Sequence, residues 1–420
     1  MFHFKSYEFD YDTALAEFNY EGADGTTFAE TVQFIKAKQE TNHELLDRAL
    51  FLSFILIGTS YYKSHPTKSI VLNAPLDSFQ ANFFNTVYQE GLSQYAFENH
   101  LTRDDLAHFQ AQDNYVAPKA LPATDYAGIL SLQSGGKDSL LTATLYQKLN
   151  PRFLYVSSSE HYPQILNELG RDLQLVHRKI DIEHLRQSNG LNGHVPITYI
   201  IQSLALIQAI LNHDSVVLTS IGQEGNEAHA YIGNLPVNHQ WSKTWPAEQS
   251  FAEYVHRYIS PDLNVGSPLR GFSELKIAEL FVQQCWEKYG HNFSSCNVAN
   301  YRQHSDNHRL DWCGECAKCA NAYLLFAPFV PASNLDSLFD NHSLFAKPQL
   351  ADTFKGLLGI DGFMKPFECI GEIDELRQAY HMRQPSYPEL PFSVPKSSFD
   401  YEKVSTMQPF IKTLGLQLKD

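Results

Sequence analysis

The sequence predicts an α/β protein: a parallel-sheet domain behind an N-terminal α+β domain, with a four-cysteine site late in the chain. Three observations carry this. From Gly128 onward short apolar stretches alternate with helical runs. A Ser-Gly-Gly-Lys-Asp-Ser hexad at residues 134–139 stands between one such stretch and the helical run after it. Four of the six cysteines fall within residues 296–319. Short strands alternating with helices indicate a parallel sheet covered on both faces.

Residues 2–9, 14–20 and 26–34 alternate apolar and polar side chains between Asp or Gly turns, which predicts a small antiparallel sheet. Residues 44–60 repeat with helical period, Leu45, Leu46, Ala49, Leu50, Phe54 and Ile57 sharing one broad face. A strand at 70–72 and a helix at 79–88 complete an N-terminal domain over residues 1–118, and residues 116–122 read as a linker. Strands are then expected at 128–132, 152–156, 173–178 and 215–219, with a prominent helix at 197–211. This domain spans 124–330, takes in the cysteines, and is followed by a C-terminal extension over 331–420. In such sheets the ligand lies beyond the carboxyl ends of the strands, where the hexad, residues 157–160 and residues 220–227 all fall.

Composition narrows the class. Hydrophobic content of 43% and charged content of 19% describe a chain with an ordinary packed core. A net charge of −15 without a basic stripe argues against a nucleic-acid partner, because phosphate backbones need clustered Lys and Arg. Met1-Phe2-His3-Phe4 lacks the basic start of a signal peptide, and the apolar stretch 49–57 is too short to span a bilayer. A cytoplasmic protein with no membrane partner is expected, and a homo-oligomer is left open.

The hexad has the order of a phosphate cradle: strand, glycine turn, helix start. Gly135 and Gly136 let several backbone N–H groups point at one anion, and the helix adds its positive dipole end. Lys137 supplies a mobile charge, while Ser134 and Ser139 supply hydroxyls. Asp138 repels phosphate unless a divalent metal lies between them, so the six residues suggest a Mg-nucleotide or Mg-pyrophosphate site. The bland alternative is an ordinary glycine-rich turn. Cys313, Cys316 and Cys319 recur at three-residue intervals and Cys296 adds a fourth thiol. Four thiolates suit a closed, structural zinc site, with an iron–sulfur cluster as the rival. Six cysteines so distributed fit a reducing compartment better than a disulfide framework.

The hexad is not a Walker A loop. It resembles the loop of the N-type ATP pyrophosphatases, whose adenine nucleotide alpha-hydrolase-like (PP-loop) fold the resemblance implies. That group splits ATP between the α- and β-phosphates, so adenylation with release of pyrophosphate is implied. A nucleotide loop with a late four-cysteine site is similar to 7-cyano-7-deazaguanine synthase. Further segments resemble a narrower family. They are Gly58-Thr59-Ser60-Tyr61-Tyr62-Lys63, Asn192-Gly193-His194-Val195-Pro196-Ile197-Thr198, Val237-Asn238-His239-Gln240-Trp241-Ser242-Lys243, Phe293-Ser294-Ser295-Cys296-Asn297 and Lys365-Pro366-Phe367-Glu368-Cys369-Ile370-Gly371-Glu372. Together with the loop and the cysteines they resemble the UDP-N-acetylmuramoyl-L-alanyl-L-glutamate epimerases, the MurL family.

This resemblance implies ATP-driven inversion of the terminal L-glutamate of UDP-N-acetylmuramoyl-L-Ala-L-Glu, a small-molecule substrate, with ATP, Mg2+ and a structural Zn2+. Lys137 and Asp138 would serve the phosphates and Mg2+, and His194, His239, Lys243 and Cys369 are candidates for proton transfer. Each has a plainer reading: the histidines and Lys243 as binders of the UDP phosphates, Cys369 as a core residue. Two other classes stay open. One is a ligase that adenylates a carboxylate and delivers an amine. The other is a zinc-stabilised binding protein without catalysis.

Overall fold

Period-two burial sets the first three strands. In β1 (Phe2–Asp10), β2 (Leu15–Glu21) and β3 (Thr27–Gln33), Phe2, Phe4, Phe18, Tyr20, Phe28 and Val32 are all buried. The computed structural model describes residues 1–37, 39–170, 172–302 and 309–404, and lays α1 (His43–Tyr62) against these strands. Asn42 caps α1 by accepting from the Leu45 N–H at 3.1 Å. By length and composition α1 is long and apolar enough to cross a membrane, which the shorter stretch noted in the sequence did not suggest. Most of it is buried inside the protein, as expected of a helix that is apolar nearly all round and serves as core. Next come β4 (Ile70–Leu72), α2 (Ser78–Gln89) and α3 (Ser93–Glu98), α2 starting from an Asp77–Gln80 capping box.

The α/β part runs β5 (Ile129–Leu132), α4 (Lys137–Tyr146), β6 (Arg152–Ser157), β7 (Leu173–Lys179), α5 (Ile182–Gln187), α6 (Ile197–Asn212) and β8 (Val216–Leu218). A hairpin of β9 (Ala230–Ile232) and β10 (Leu235–Val237) precedes α7 (Trp245–Tyr254) and β11 (Asn264–Gly266). Among the described residues five further α-helices follow: α8 (Glu274–Tyr289), α9 (Ala317–Phe326), α10 (Ala332–Asp336), α11 (Ala351–Leu358) and α12 (Ile373–Met382). The crossovers through α4 and α6 step in opposite directions along the sheet, so right-handedness places the two helices on opposite faces. Accordingly α6 packs on α1, and α4 packs on α8.

Among the described residues, nine strands form one sheet in the order β11-β8-β5-β6-β7-β3-β2-β1-β4. The five strands from β11 to β7 are mutually parallel. The N-terminal strands do not form a separate small sheet. β3 pairs antiparallel with β7 through Thr31–Lys179, Val32–Arg178 and Gln33–His177. Alternation tells which face of a strand is buried; it is silent on the lateral neighbour, and a bare edge invites one. The seam is fixed by a buried pair, Glu30 with Arg178, whose remaining valences are filled. Tyr61 donates to Glu30 Oε2 at 2.7 Å and Arg178 Nη2 donates to Ser60 Oγ at 2.9 Å.

The chain leaves β5 toward β6 and later returns to β8 on its other side, so strand order reverses between β5 and β8. A crevice opens at such a switch point, outside the carboxyl ends of the two strands.

Candidate active site

The hexad occupies that crevice. Gly135 adopts φ +80°, and a Cβ there would lie 2.5 Å from Leu310 Cδ1 and 3.1 Å from Ile165 Cγ2. Both the backbone and the space therefore call for glycine. Gly136 is the N-cap of α4 and no side chain caps the helix, so its first N–H groups remain available to an anion. The serines brace the turn: Ser134 N–H donates to Ser139 Oγ at 3.2 Å, and Ser139 Oγ donates to the Gly136 carbonyl at 3.2 Å.

Lys137 is not the free charge that the sequence suggested. It is buried, with Nζ 2.5 Å from both Asp138 Oδ1 and Glu274 Oε2. Burial alone would lower its pKa, yet the two carboxylates hold it above the ordinary lysine range. Glu274, the first residue of α8, is pushed up by burial against the pull of Lys137, and Asp138 and Glu224 add to the rise. Its Oε1 has no hydrogen-bond partner. The pocket is thus reluctant to hold all its carboxylates ionised, which is the charge pattern a divalent cation relieves.

Lys243 joins the loop to the rest of the site. Its Nζ lies 3.2 Å from Glu224 Oε1, and burial's downward pull on its pKa is overcome by Cys369, Glu224, Asp138 and Glu274 nearby. Fully buried Arg270 fastens this stretch, donating to the Lys243 carbonyl at 2.8 Å, the Gly222 carbonyl at 2.7 Å and Glu248 at 2.8 Å. Gln240 Nε2 reaches the Ile370 carbonyl at 2.8 Å and so ties the segment to the Cys369 strand of chain.

Beyond Lys243 the rings of His194 and His239 are 4.3 Å apart, and His229 lies 6.3 Å from His239. Burial, aided for His194 by His239 and Lys63, lowers the His194 pKa to about 3; burial also lowers His229 to about 3 and His239 to about 4. All three are neutral imidazoles at pH 7. His229 stacks on Phe367 at 5.3 Å, and neither of its ring nitrogens meets hydrogen-bond geometry with a partner; the Pro366 carbonyl offers a weaker contact. Lys365 pairs with Glu227 at 2.7 Å on the rim.

The four cysteines converge as well. Sγ of Cys296 lies 3.7 Å from that of Cys316, and Cys319 lies 3.6 Å from Cys313 and 3.5 Å from Cys316. All four sulfurs fall within 4.8 Å of one another. A tetrahedron with metal–sulfur bonds of about 2.3 Å has edges of about 3.8 Å, so the donor set fits zinc. A disulfide would need about 2.05 Å. Backbone N–H groups of Ala299 and Gly314 donate to Cys296 and Cys319 at 3.4 Å, supporting thiolate character. Ser294, two residues before Cys296, donates its N–H to the Gly135 carbonyl at 3.4 Å, so the cysteine site buttresses the glycine loop.

The structure therefore gathers Ser134–Ser139, Lys243 and Cys369 around one crevice, with His194 and His239 along its continuation, and sets Cys296, Cys313, Cys316 and Cys319 behind it. Sequence reasoning placed residues 220–227, and so Glu224, at the ligand end of the sheet without singling that residue out; it missed Glu274, His229 and Gln94. None lies in a repeating pattern, and only position in the folded chain marks them. A separate cavity of about 560 Å³, lined by Arg152, Leu173 and Leu211 among others, sits at the amino-terminal ends of β6 and β7. It is at the wrong edge of the sheet for this site.

Known proteins match along most of the chain. The MurL N-terminal domain matches residues 1–267, and the MurL C-terminal domain matches residues 292–389. Three relatives carry the name UDP-N-acetyl-alpha-D-muramoyl-L-alanyl-L-glutamate epimerase. The Xanthomonas oryzae pv. oryzae protein is 30% identical over 390 residues, covering 90% of this chain and 84% of the relative. That of Salinispora tropica is 31% identical over 385 residues, 89% of this chain and 82% of the relative. A Micromonospora sp. protein is 31% identical over 388 residues, 89% and 84%. No solved structure matches.

Proposed function

The chain belongs to the MurL family, and from that premise we propose that it is an isomerase of peptidoglycan precursor synthesis. It inverts the terminal L-glutamate of UDP-N-acetylmuramoyl-L-Ala-L-Glu to D-glutamate at the expense of ATP, forming AMP and pyrophosphate. The observation that carries the reading is one crevice holding both a glycine loop on a helix N-terminus and, through Lys243, a set of neutral histidines and a cysteine. The first suits phosphate and the second suits proton transfer.

The chemistry needs both. An α-proton beside a carboxylate is very weakly acidic, because its removal leaves two negative charges on one small group. In the proposed first step a carboxylate oxygen bonds to the α-phosphorus of ATP, the bond from that phosphorus to the bridging oxygen breaks, and pyrophosphate leaves. The N–H groups of Gly135 and Gly136, the hydroxyls of Ser134 and Ser139 and the Lys137 ammonium would receive the departing charge. Asp138 would hold Mg2+, which supplies charge neutralisation between carboxylate and phosphate oxygens. The acyl adenylate is ester-like, so a base can take the α-proton and leave an enolate. Reprotonation on the other face, then hydrolysis, gives the D-epimer and AMP. His194, His239, Lys243 and Cys369 are the candidates that would move that proton. A structural Zn2+ on Cys296, Cys313, Cys316 and Cys319 would hold the wall behind the loop.

The test is turnover of UDP-N-acetylmuramoyl-L-Ala-L-Glu with Mg-ATP in deuterated water. The D-Glu product should carry one α-deuterium, with AMP and pyrophosphate formed in step and no amine added. Cleavage of ATP only when ammonia or an amine is supplied, with the α-proton retained, would establish the ligase reading instead.

A further inference from the structure

The hydrogen-bond chain from Glu98 through Gln94 to His239 fixes which nitrogen of His239 carries the proton. Gln94 is buried on α3, and its Nε2 donates to Glu98 Oε1 at 2.8 Å. A carboxylate only accepts, so the amide cannot turn the other way, and Gln94 Oε1 must face His239. That oxygen lies 2.6 Å from His239 Nδ1. A carbonyl oxygen also only accepts, so Nδ1 bears the hydrogen. In a neutral imidazole the lone pair then sits on Nε2. The geometry is held from both sides: Ser93 Oγ accepts from the Asn238 N–H at 3.2 Å, and Asn238 Nδ2 donates to the Gly225 carbonyl at 2.6 Å.

We propose that Gln94 is a positioning residue that holds His239 as its Nδ1–H tautomer, so that Nε2 is the proton-accepting nitrogen of the crevice. This rests on the reading of His239 as a proton-transfer group. The ring's surroundings are mixed in sign: Glu98 on α3, Glu368 on the Cys369 segment, Lys318 on α9, Lys243, and the neighbouring His194 and His229. Lys63, at the end of α1, acts on His194. Gln94 differs from all the charged members in orienting the ring without adding charge. An aspartate or glutamate there would orient it equally well and make it more basic.

The experiment uses the full chain labelled with nitrogen-15 histidine, the His239 signals being those lost in His239→Gln. The parent should show a protonated, pyrrole-like Nδ1 and a pyridine-like Nε2. Gln94→Leu should release the ring to a tautomer mixture and lower kcat for α-hydrogen exchange about tenfold or more, with KM nearly unchanged. Gln94→Glu should keep the Nδ1–H tautomer, retain exchange, and move the acid limb of the kcat/KM profile to higher pH. A parent His239 protonated at Nε2, or a Gln94→Leu variant with unchanged tautomer and kcat, overturns the assignment. If Gln94→Leu does not fold, the parent spectrum and the Gln94→Glu pH shift still decide it. A parent that shows the Nδ1–H tautomer yet neither epimerises nor exchanges the α-hydrogen removes the epimerase reading while supporting the role of Gln94 in holding the ring.

Discussion

Replacing Lys137 by Met should destabilise the protein by an amount that grows with pH. Lys137 is 9% exposed and lies 2.5 Å from Glu274 Oε2, itself on a residue 5% exposed. Removing one partner of a buried pair costs about 3–5 kcal/mol when the other stays charged. Glu274 can avoid part of that cost. Burial already raises its pKa, and losing the Lys137 cation raises it further. The folded variant then binds a proton that the unfolded chain, with a carboxyl near 4.5, has released. Where the folded state holds the extra proton, stability is full below the unfolded value and falls as pH rises toward the folded one. At pH 6 the loss should be about 1–2 kcal/mol, that of one hydrogen-bonded contact. In the parent Glu274 is already raised to about 8, so the loss grows only above that value and should approach about 3–5 kcal/mol by pH 10, or about 3–6 °C in Tm for a chain of this size. Thermal unfolding at the two pH values reads the difference. Lys137→Met with Glu274→Gln should recover most of the loss at pH 10, because no buried carboxylate is stranded. Equal Tm losses at both pH values, or no recovery in the double variant, would refute the electrostatic account. Parental turnover by the recovered double variant would remove Lys137 from the chemistry.

Two further outcomes are expected. Elemental analysis should find about one zinc per chain with no visible iron–sulfur absorption, and Cys316→Ala should lose both metal and thermal stability; iron in place of zinc would end that assignment. His194 and His229 titrate near 3 and His239 near 4 in the folded chain against 6.5 unfolded, so the unfolded chain binds more protons between those values. Stability should therefore be complete above about pH 6.5 and decline as pH falls toward 4. His229→Gln should flatten that decline in urea unfolding, and an unchanged pH dependence would mean that His229 is charged in the fold.

Local rules carry far in this chain, and they stop where contacts become non-local. The strands around the hexad were readable because each is a short apolar run cut off by Gly or a polar turn. The loop was readable because strand, glycines and helix follow in one stretch, and the cysteines because three share a period. The union of β3 with β7 was not readable, since a period of two defines a face and leaves the neighbour open. β11 was missed because Asn264, Val265 and Gly266 offer a single apolar side chain and so no apolar run to detect, unlike the equally short β4 and β8. Glu274 meets Lys137 across 137 residues of chain, and Gln94 meets His239 across 145. Such pairs leave no trace in spacing, and a lone Glu or Gln in a polar setting looks like any solvated residue.

The union of β3 and β7 also sets a timetable for synthesis. β3 ends at Gln33 and β7 begins at Leu173, so about 140 residues must be made before the free side of β3 can be covered. At ribosomal speeds of 5–20 residues per second that is roughly 7–30 s during which a strand edge stands open to any other extended chain. Glu30 lies in that strand, and until Arg178 emerges its carboxylate has no guanidinium to meet. An intruding strand would have to bury that charge unpaired. The residue that locks the finished sheet thus guards the nascent one, and it does so while its charge lacks a counter-ion.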